Sequence, residues 1–318
     1  AVRIFTGGPV PNGADCIVIQ ENTTKLGDNE ILVQQSEAKG RYIRAAGLDF
    51  KSGEIHLNSG RLLGARDVAL AAAMNRPWIN VYRKPRIAII ATGNEIVMPG
   101  DPVGPNQVVS SNSLGLAAAI KTLGGDPVLL GIAQDTEESL LNLAKGAAAA
   151  DLLVTTGGAS VGDHDLIKSV LGQNGLEMDF YKIAMRPGKP LIFGEFNGTP
   201  MLGLPGNPVS TLVCTIMFLS PALAKMQGLA SDHFISKNKA ILGCDLGKND
   251  QREDYLRAII ESDASGNIIA TPYEKQDSSM LAKLAHAQGL VIRSPHADPV
   301  KAGDVVEYIS MPQGLLSI

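Results

Sequence analysis

The alternation that decides the fold begins with RIAIIAT at residues 86–92 and continues with PVLLGIA at 127–133 and DLLVTT at 151–156. These runs are rich in Ile, Val and Leu, as buried strands are. The segments between them, residues 113–123 and 136–149, have the composition of helices. Strands that alternate with helices are typical of a parallel sheet covered on both faces. The sequence therefore predicts a doubly wound, mostly parallel α/β sheet.

Two smaller β-rich domains are predicted to flank this sheet. The segments CIVIQ at 16–20 and ILVQQ at 31–35 have the β-branched composition of strands. Residues 61–75 have the pattern of an amphipathic helix, and residues 208–226 that of a long apolar helix. The predicted regions are a partial β-rich domain at 1–45, a helical linker region at 46–84, the α/β domain at 85–230 and a β-barrel-like domain at 231–318.

Composition excludes several function classes. The chain has 318 residues, a net charge of −4 and only 4% aromatic residues, without the basic tract that nucleic-acid binding requires. Its three cysteines are too widely spaced for a disulfide framework, and its five histidines have no zinc-site spacing. No uninterrupted apolar stretch reaches the ~20 residues of a transmembrane helix. We therefore expect a cytoplasmic protein without nucleic-acid or membrane partners.

Ligands of a doubly wound sheet bind beyond the carboxyl ends of its strands. There, Gly157, Gly158 and Gly162 could turn backbone amides toward a phosphate, or could serve close packing alone. Asp163 fits a helix N-cap. Asp165 fits a carboxylate that accepts two hydrogen bonds from a heterocycle such as a pterin or guanine.

Two later loops are candidates for binding an anion, one through its cations and the other through a helix start. In RPGKP (186–190) the charges of Arg186 and Lys189 could converge on one oxyanion, although a solvated turn is the alternative. In LPGNPVS (204–210) Asn207 fits an N-cap, followed by proline at the first helical position and by Ser210 in the first turn. Such a helix start is a ready anion site.

The first strand delivers an acidic residue to the same edge. Glu95, in ATGNE, could bind Mg²⁺ or polarise a water, or could be only a solvated turn residue. The following Ser110–Asn112 segment has the composition of a plain N-cap region.

Together these motifs closely resemble the molybdopterin molybdenumtransferases, the MoeA family that also includes the E domain of gephyrin. The resemblance spans essentially the whole chain. Its motifs are TGGPVPNGAD (6–15), RAAGLDFKSG (44–53), TGNE (92–95), TTGGASVGDHD (155–165), RPGKP (186–190), GLPGNPVS (203–210), QREDYLR (251–257) and QDSS (276–279).

The resemblance implies an enzyme that inserts molybdate into adenylylated molybdopterin with Mg²⁺-dependent release of AMP. Catalytic roles then fall to Asp49, Glu95 and Asp165, of which Asp49 and Glu95 would hold Mg²⁺. The residues implied for the pterin and phosphate are Gly157, Gly158, Ser160, Gly162, Asp165, Pro205 and Asn207. Those implied for molybdate are Arg186, Lys189, Ser210, Arg252 and Ser278.

For Arg252, Ser278 and Asp49 only the resemblance indicates a role. Composition alone places Arg252 and Arg257 on the surface of a strand, makes Ser278 an N-cap of the last helix, and leaves Asp49 an ordinary turn residue.

This sequence departs from the family pattern at several points. Arg186 and Asn94 stand where the family usually has Lys and Asp. The N-terminal segment with the motif NSAMDGYA is absent from the chain, which leaves its activity open.

The resemblance also implies a homodimer with composite sites and a molybdopterin adenylyltransferase as a possible partner. The alternatives for function are that adenylyltransferase itself, which shares the GGxSxG loop, and a non-catalytic dimeric scaffold.

Overall fold

The computed structural model describes residues 1–158 and 167–311, which group into two compact units, Ala1–Asn58 and Ser59–Ile318. The smaller unit contains one helical turn, Gln20–Asn22, and an antiparallel hairpin of β1 (Thr23–Lys25) and β2 (Ile31–Val33).

The hairpin differs from the prediction in its first strand. Residues 16–20, predicted as a strand, are not one, and the partner of β2 is β1 instead. The reason lies in the turn, where the Leu26 N–H donates to the Glu30 carbonyl over 3.0 Å. This closure pairs the residues immediately before and after the turn, and so fixes the register.

The larger unit begins with a helix and an α/β segment. Its elements in chain order are α1 (Ala65–Ala73), β3 (Arg86–Thr92), β4 (Ile96–Val97), β5 (Val108–Val109), α2 (Asn112–Thr122), β6 (Asp126–Ala133), α3 (Glu137–Lys145), β7 (Leu152–Thr156), β8 (Leu176–Lys182), β9 (Met185–Arg186), β10 (Pro190–Phe196), β11 (Thr199–Leu204), α4 (Pro208–Cys214) and α5 (Ser220–Met226). The remaining elements are β12 (Lys237–Leu242), β13 (Glu253–Ser262), β14 (Ile268–Pro272), α6 (Leu281–His286), β15 (Gly289–Arg293) and β16 (Val305–Ser310).

A six-stranded sheet forms the centre of the α/β segment, in the order β6-β3-β7-β11-β10-β8. The first four strands are parallel, and β10 and β8 add antiparallel pairs. Ile87 and Ile89 of β3 face α2 and the Pro208–Met226 helix, whereas Ala88 and Ile90 face α3. Because both faces are covered, β3 reads as a continuous apolar run, and the prediction of a mostly parallel α/β fold is confirmed.

The C-terminal strands close into a barrel. Each of β12, β16, β15, β13 and β14 pairs with the next, and β14 pairs back onto β12. The short strand β9, which lies between β8 and β10 in the chain, adds to β13 in parallel register. The predicted barrel is therefore confirmed, and a segment of the α/β domain is hydrogen-bonded to it.

The Pro208–Met226 helix is the centre of the larger unit. The helix has 19 residues, and an 18-residue window of it has a mean hydropathy of 1.6. Length and composition would suffice to span a membrane, but 61% of that window is buried within the protein. Its apolar side chains share one cluster with the sheet and with Tyr255 and Leu290 of the barrel. It is a core helix, and it joins the two domains through one continuous apolar core.

A pair of leucines in α2 tests this core. Leu116 is fully buried in it, whereas Leu114 on the same helix is 44% exposed. We expect Leu116→Ala to lower the free energy of unfolding by about 2–5 kcal/mol, because it leaves a cavity. The matched variant Leu114→Ala should change it by less than about 0.5 kcal/mol. Urea unfolding measures both, and equal effects would contradict the packing.

Candidate active site

The glycine loop after β7 lies against the end of β3. Gly157 and Gly158 have φ of +86° and +64°, and a Cβ on either would lie 2.6 Å from an oxygen of Thr92. Only glycine fits such positions. Thr92 Oγ1 is buried there without a hydrogen-bond partner among the described residues. The predicted Ser160, Gly162 and Asp165 lie outside the described part of the chain.

A second loop, Pro205–Asn207, meets the glycine loop. A Cβ on Gly206 would lie 3.4 Å from the Gly157 Cα. Asn112 Nδ2 donates to Thr156 Oγ1 (2.9 Å) and to the Gly206 carbonyl (2.8 Å). Asn112 therefore joins the two loops. This role is not evident from the sequence, in which Asn112 fits a plain helix start.

The start of the Pro208–Met226 helix is completed by the barrel. Asn207 occupies the N-cap position as predicted, but its side chain does not cap the helix. Instead, Asn207 Nδ2 donates to Ser278 Oγ (2.7 Å), and the Val209 N–H donates to the Ser278 carbonyl (3.2 Å). Ser278 thus satisfies an amide that would otherwise lack a partner. Ser210 is buried in the same first turn.

Two side chains of the barrel hold the Ser278 loop. Arg257 Nε donates to Gln276 Oε1 (3.1 Å) and Arg257 Nη1 to the Met280 carbonyl (3.2 Å). Gln276 Nε2 in turn donates to the Arg257 carbonyl (3.0 Å). The surface position predicted for Arg257 is wrong, since it is 1% exposed, and burial lowers its pKa. Ser278 is not the N-cap of α6 either, because Met280 occupies that position.

The RPGKP loop lies beside the same helix. A Cβ on Gly188 would lie 2.5 Å from Cys214 Sγ of α4. Burial raises the pKa of Cys214 to about 12, which keeps it a neutral packing group. The loop is closed by a 3.1 Å bond from the Ile183 N–H to the Lys189 carbonyl. Lys189 itself is exposed and makes no ion pair within 4 Å with an acidic group of residues 1–158 or 167–311.

Arg186 points to the barrel. Its guanidinium donates to Asp250 Oδ2 (3.1 Å), to Asn249 Oδ1 (3.2 Å) and to Asp254 Oδ2. Arg252 also donates to Asp250 Oδ2, over 2.7 Å. We call these five residues the Arg186 cluster. The Arg252 side chain and backbone N–H, followed by the Arg186 charge, lower the pKa of Asp250 to about 2.

The loop after β3 carries the acidic candidates of the larger unit. Glu95 is exposed, and its carboxylate lies over Gly93, where a Cβ would be 2.5 Å away. Asn94 and Asp135 each accept the other's backbone N–H, over 3.0 and 3.2 Å. Asn94 therefore fastens this loop to the one after β6, beside a surface cavity of about 450 Å³.

The chemistry of these donors fits Mg²⁺. Within the described ranges there is no group of three His, Cys, Asp or Glu side chains that could hold a metal alone. Mg²⁺ is, however, usually bound by one or two carboxylates together with substrate phosphates. Glu95 and Asp135, carboxylates of two joined loops, could supply that part.

Asp49 belongs to the smaller unit. It is exposed and lines a surface cavity of about 490 Å³ together with Arg44, Gly47 and Phe50. The larger unit thus brings together Gly157, Pro205, Asn207, Ser210 and Ser278, with Lys189 on the adjoining loop, whereas Arg186 and Arg252 are engaged by carboxylates.

Three family models match the chain. A probable molybdopterin binding domain matches residues 88–225, the MoeA N-terminal region (domains I and II) matches 1–75, and the MoeA C-terminal region (domain IV) matches 239–311. A molybdopterin molybdenumtransferase 2 of Mycobacterium tuberculosis is 35% identical over 297 residues, covering 92% of this chain and 72% of that protein.

The chain belongs to the molybdopterin molybdenumtransferase family. A Nostoc member is 36% identical over 260 residues, which cover 80% of this chain and 59% of that protein. The structure of a molybdopterin biosynthesis MoeA protein from Pyrococcus horikosii matches with a TM-score of 0.80 and 32% identity, over 96% of this chain and 74% of that one. The resemblance is thereby confirmed, and the family is one of transferases in molybdenum cofactor biosynthesis with a central molybdopterin-binding domain.

Acid should weaken the Arg186 cluster in this family member. Because the folded pKa of Asp250 lies near 2, below its usual 3.8, its ion pairs stabilise the fold fully above about pH 4 and lose that effect as the pH falls toward 2. The stability difference between the parent and Asp250→Asn, from urea unfolding, should therefore shrink from pH 6 to pH 3. A difference independent of pH would contradict the pairing.

The glycine loop makes a second prediction. Gly157→Ala places a methyl group against the Thr92 carbonyl at positive φ, and should lower the free energy of unfolding by about 1–3 kcal/mol. Gly172→Ala, in a helical turn where the added Cβ meets nothing within 4 Å, serves as the control and should leave the free energy of unfolding unchanged or raise it by up to about 1 kcal/mol. Thermal unfolding measures both, and a stable Gly157→Ala variant would refute the close approach.

Proposed function

We propose that this chain inserts molybdate into adenylylated molybdopterin, with Mg²⁺-dependent release of AMP. One observation carries the proposal: Ser278 of the barrel is bonded to the start of a helix in the molybdopterin-binding domain, and the RPGKP loop packs against Cys214 of the same helix. Because residues of both domains form this site, we expect a reaction whose substrates contact both domains.

The helix start has the chemistry of an oxyanion site. Molybdate is a tetrahedral dianion, and helix N-termini, hydroxyl groups and cations are the usual donors to such ions. Ser210 and Ser278 supply hydroxyls at this helix start, and Lys189 supplies the cation on the adjoining loop. The glycine loop, with its backbone close to Thr92, is the pterin and phosphate side of the same edge.

Cleavage of the adenylate requires stabilisation of negative charge on phosphate. Mg²⁺ would supply this as a Lewis acid, held by Glu95 and by Asp135 of the adjoining loop, which accepts the Asn94 N–H. Asp49 is assigned to the same step on the family resemblance, and Asp165 to the pterin. Mg²⁺ titration of AMP release should show saturation in the parent and loss of it in Glu95→Gln.

The barrel also separates this proposal from the alternatives. An adenylyltransferase sharing only the glycine-loop domain has no use for Ser278 or for the strand β9 on the barrel. A scaffold of the same fold would need neither the exposed amine of Lys189 nor the exposed carboxylate of Glu95, although it could keep both.

We further propose that the protein is a homodimer in the cytoplasm that receives its substrate from a molybdopterin adenylyltransferase. Large apolar side chains stay exposed on both units, among them Phe5, Ile55 and Trp78, the last 90% exposed. All three cysteines are free thiols, which suits a reducing compartment. Analytical ultracentrifugation tests the dimer, and a monomer at micromolar concentration would refute it.

Metal insertion is the direct test of the function. The purified chain is incubated with adenylylated molybdopterin, Mg²⁺ and molybdate, while AMP release and pterin-bound molybdenum are followed together. The proposal predicts that AMP release and the formation of pterin-bound molybdenum both depend on molybdate. Pterin binding without AMP release would instead favour a scaffold, and formation of the adenylate from ATP would favour the adenylyltransferase.

Lys189 provides the sharpest single substitution. Loss of its charge removes one charge-assisted hydrogen bond to the oxyanion, so Lys189→Ala should weaken molybdate binding by about 10- to 100-fold. Lys145→Ala, at the end of α3, is the matched control and should bind as the parent does. Isothermal titration with molybdate measures both, and unchanged affinity of Lys189→Ala would remove that residue from the site.

A further inference from the structure

We propose that Asn249, Asp250 and Asp254 form a clamp that holds Arg186 away from the oxyanion and thereby positions Lys189 at the helix start. The inference rests on the proposed function, since it concerns the same oxyanion site. It changes the role that the resemblance implies for Arg186, from a molybdate ligand to a positioning residue.

The clamp is rigid because its acceptors are themselves fixed. Asp254 lies opposite Arg186 in the pairing of β13 with β9 and is 4% exposed. Asn249 Oδ1 accepts from Arg186 and from the Asp250 N–H. Asn249 Nδ2 donates to three backbone carbonyls, those of Arg252, Arg293 and Ser294, over 2.8 to 3.0 Å. The guanidinium fork thus meets acceptors that have no freedom to follow a ligand.

The cluster is neutral as a whole. The charges of Arg186 and Arg252 are balanced by those of Asp250 and Asp254. An oxyanion that recruited Arg186 would have to displace a buried carboxylate and leave it unpaired, which is strongly unfavourable. Lys189, which has no such partner within the described ranges, is the cation of this loop that is available to the oxyanion.

Short bonds connect the clamp to Lys189. The Glu253 N–H donates to the Ala184 carbonyl (2.9 Å), which ties the incoming strand to the barrel. The Ile183 N–H bonds the Lys189 carbonyl (3.1 Å), and Gly188 packs against Cys214 of the helix. The backbone from Ile183 to Lys189 is therefore held at the barrel on one side and at the helix on the other. Arg186 lies within this segment, and its bonds to the cluster are the side-chain part of the barrel attachment.

Removing the carboxylates distinguishes the two roles of Arg186. If Arg186 were an oxyanion ligand, Asp254→Asn and Asp250→Asn would release it and strengthen molybdate binding. If it is clamped, both variants lose the positioning and weaken binding, by about tenfold for one charge-assisted contact. Asp250 is partly exposed, so its variant is expected to fold even if Asp254→Asn does not.

The experiment measures the affinity of the full chain for inorganic molybdate by isothermal titration. The variants are Arg186→Gln, Asp254→Asn, Asp250→Asn and the double variant Arg186→Gln/Asp254→Asn. The control is Asp245→Asn, which breaks the Lys301 ion pair elsewhere in the barrel. We expect weaker binding in all four variants, a double variant no weaker than the worse single one, and parent affinity in the control.

A kinetic readout separates positioning from general destabilisation. In metal insertion, the clamp variants should raise KM for molybdate about tenfold and leave KM for adenylylated molybdopterin unchanged, with Arg186→Lys recovering part of the loss. If Asp250→Asn and Asp254→Asn bind molybdate as tightly as the parent or more tightly, the clamp is wrong. The proposed function would still stand if the parent inserts the metal. If the parent binds molybdate but does not insert it, the proposed function is wrong. The molybdate affinities of the variants relative to the parent would still test the clamp.

Discussion

The start of the Pro208–Met226 helix is the constraint on which the larger unit depends. The first amides of any helix lack partners within it, and here the Val209 N–H finds one in the carbonyl of Ser278, 69 residues further along the chain. The helix is buried between the sheet and the barrel, so water is a poor substitute at this end. The barrel must therefore be docked for the helix start to be satisfied, and the proposed anion site depends on the docked arrangement.

Three kinds of interaction maintain that docking. One apolar cluster runs from the sheet through the helix into the barrel. Strand β9, from the α/β domain, pairs with β13 of the barrel, and ion pairs and hydrogen bonds of the Arg186 cluster join the same two segments. The first supplies most of the stability, because it is the largest burial of apolar surface. The other two are directional, and so fix where the RPGKP loop lies over the helix. Recognition of the proposed dianion would depend on that placement more than on net charge, since the protein is acidic overall.

Local pattern was sufficient for much of this structure. The apolar run of β3, the helix at Pro208–Met226 and the N-cap position of Asn207 follow from periodicity and from the preferences of individual residues. The partners of Arg186, Asn207 and Arg257 did not follow, because they lie 19 to 71 residues away in sequence. A strand arginine looks the same in sequence whether it is solvated or buried. The hairpin error at residues 16–20 has the same origin, since the turn, and not the composition, selects the paired residues.

A crystal structure of the full chain with bound molybdate, phased on the anomalous signal of molybdenum, tests this account most directly. The account predicts one molybdenum peak at the start of the Pro208–Met226 helix, within hydrogen-bonding distance of Lys189, Ser210 or Ser278, with Arg186 still bonded to Asp254. A peak elsewhere, or a peak at the helix start with Arg186 turned away from Asp254 onto the oxyanion, would contradict it.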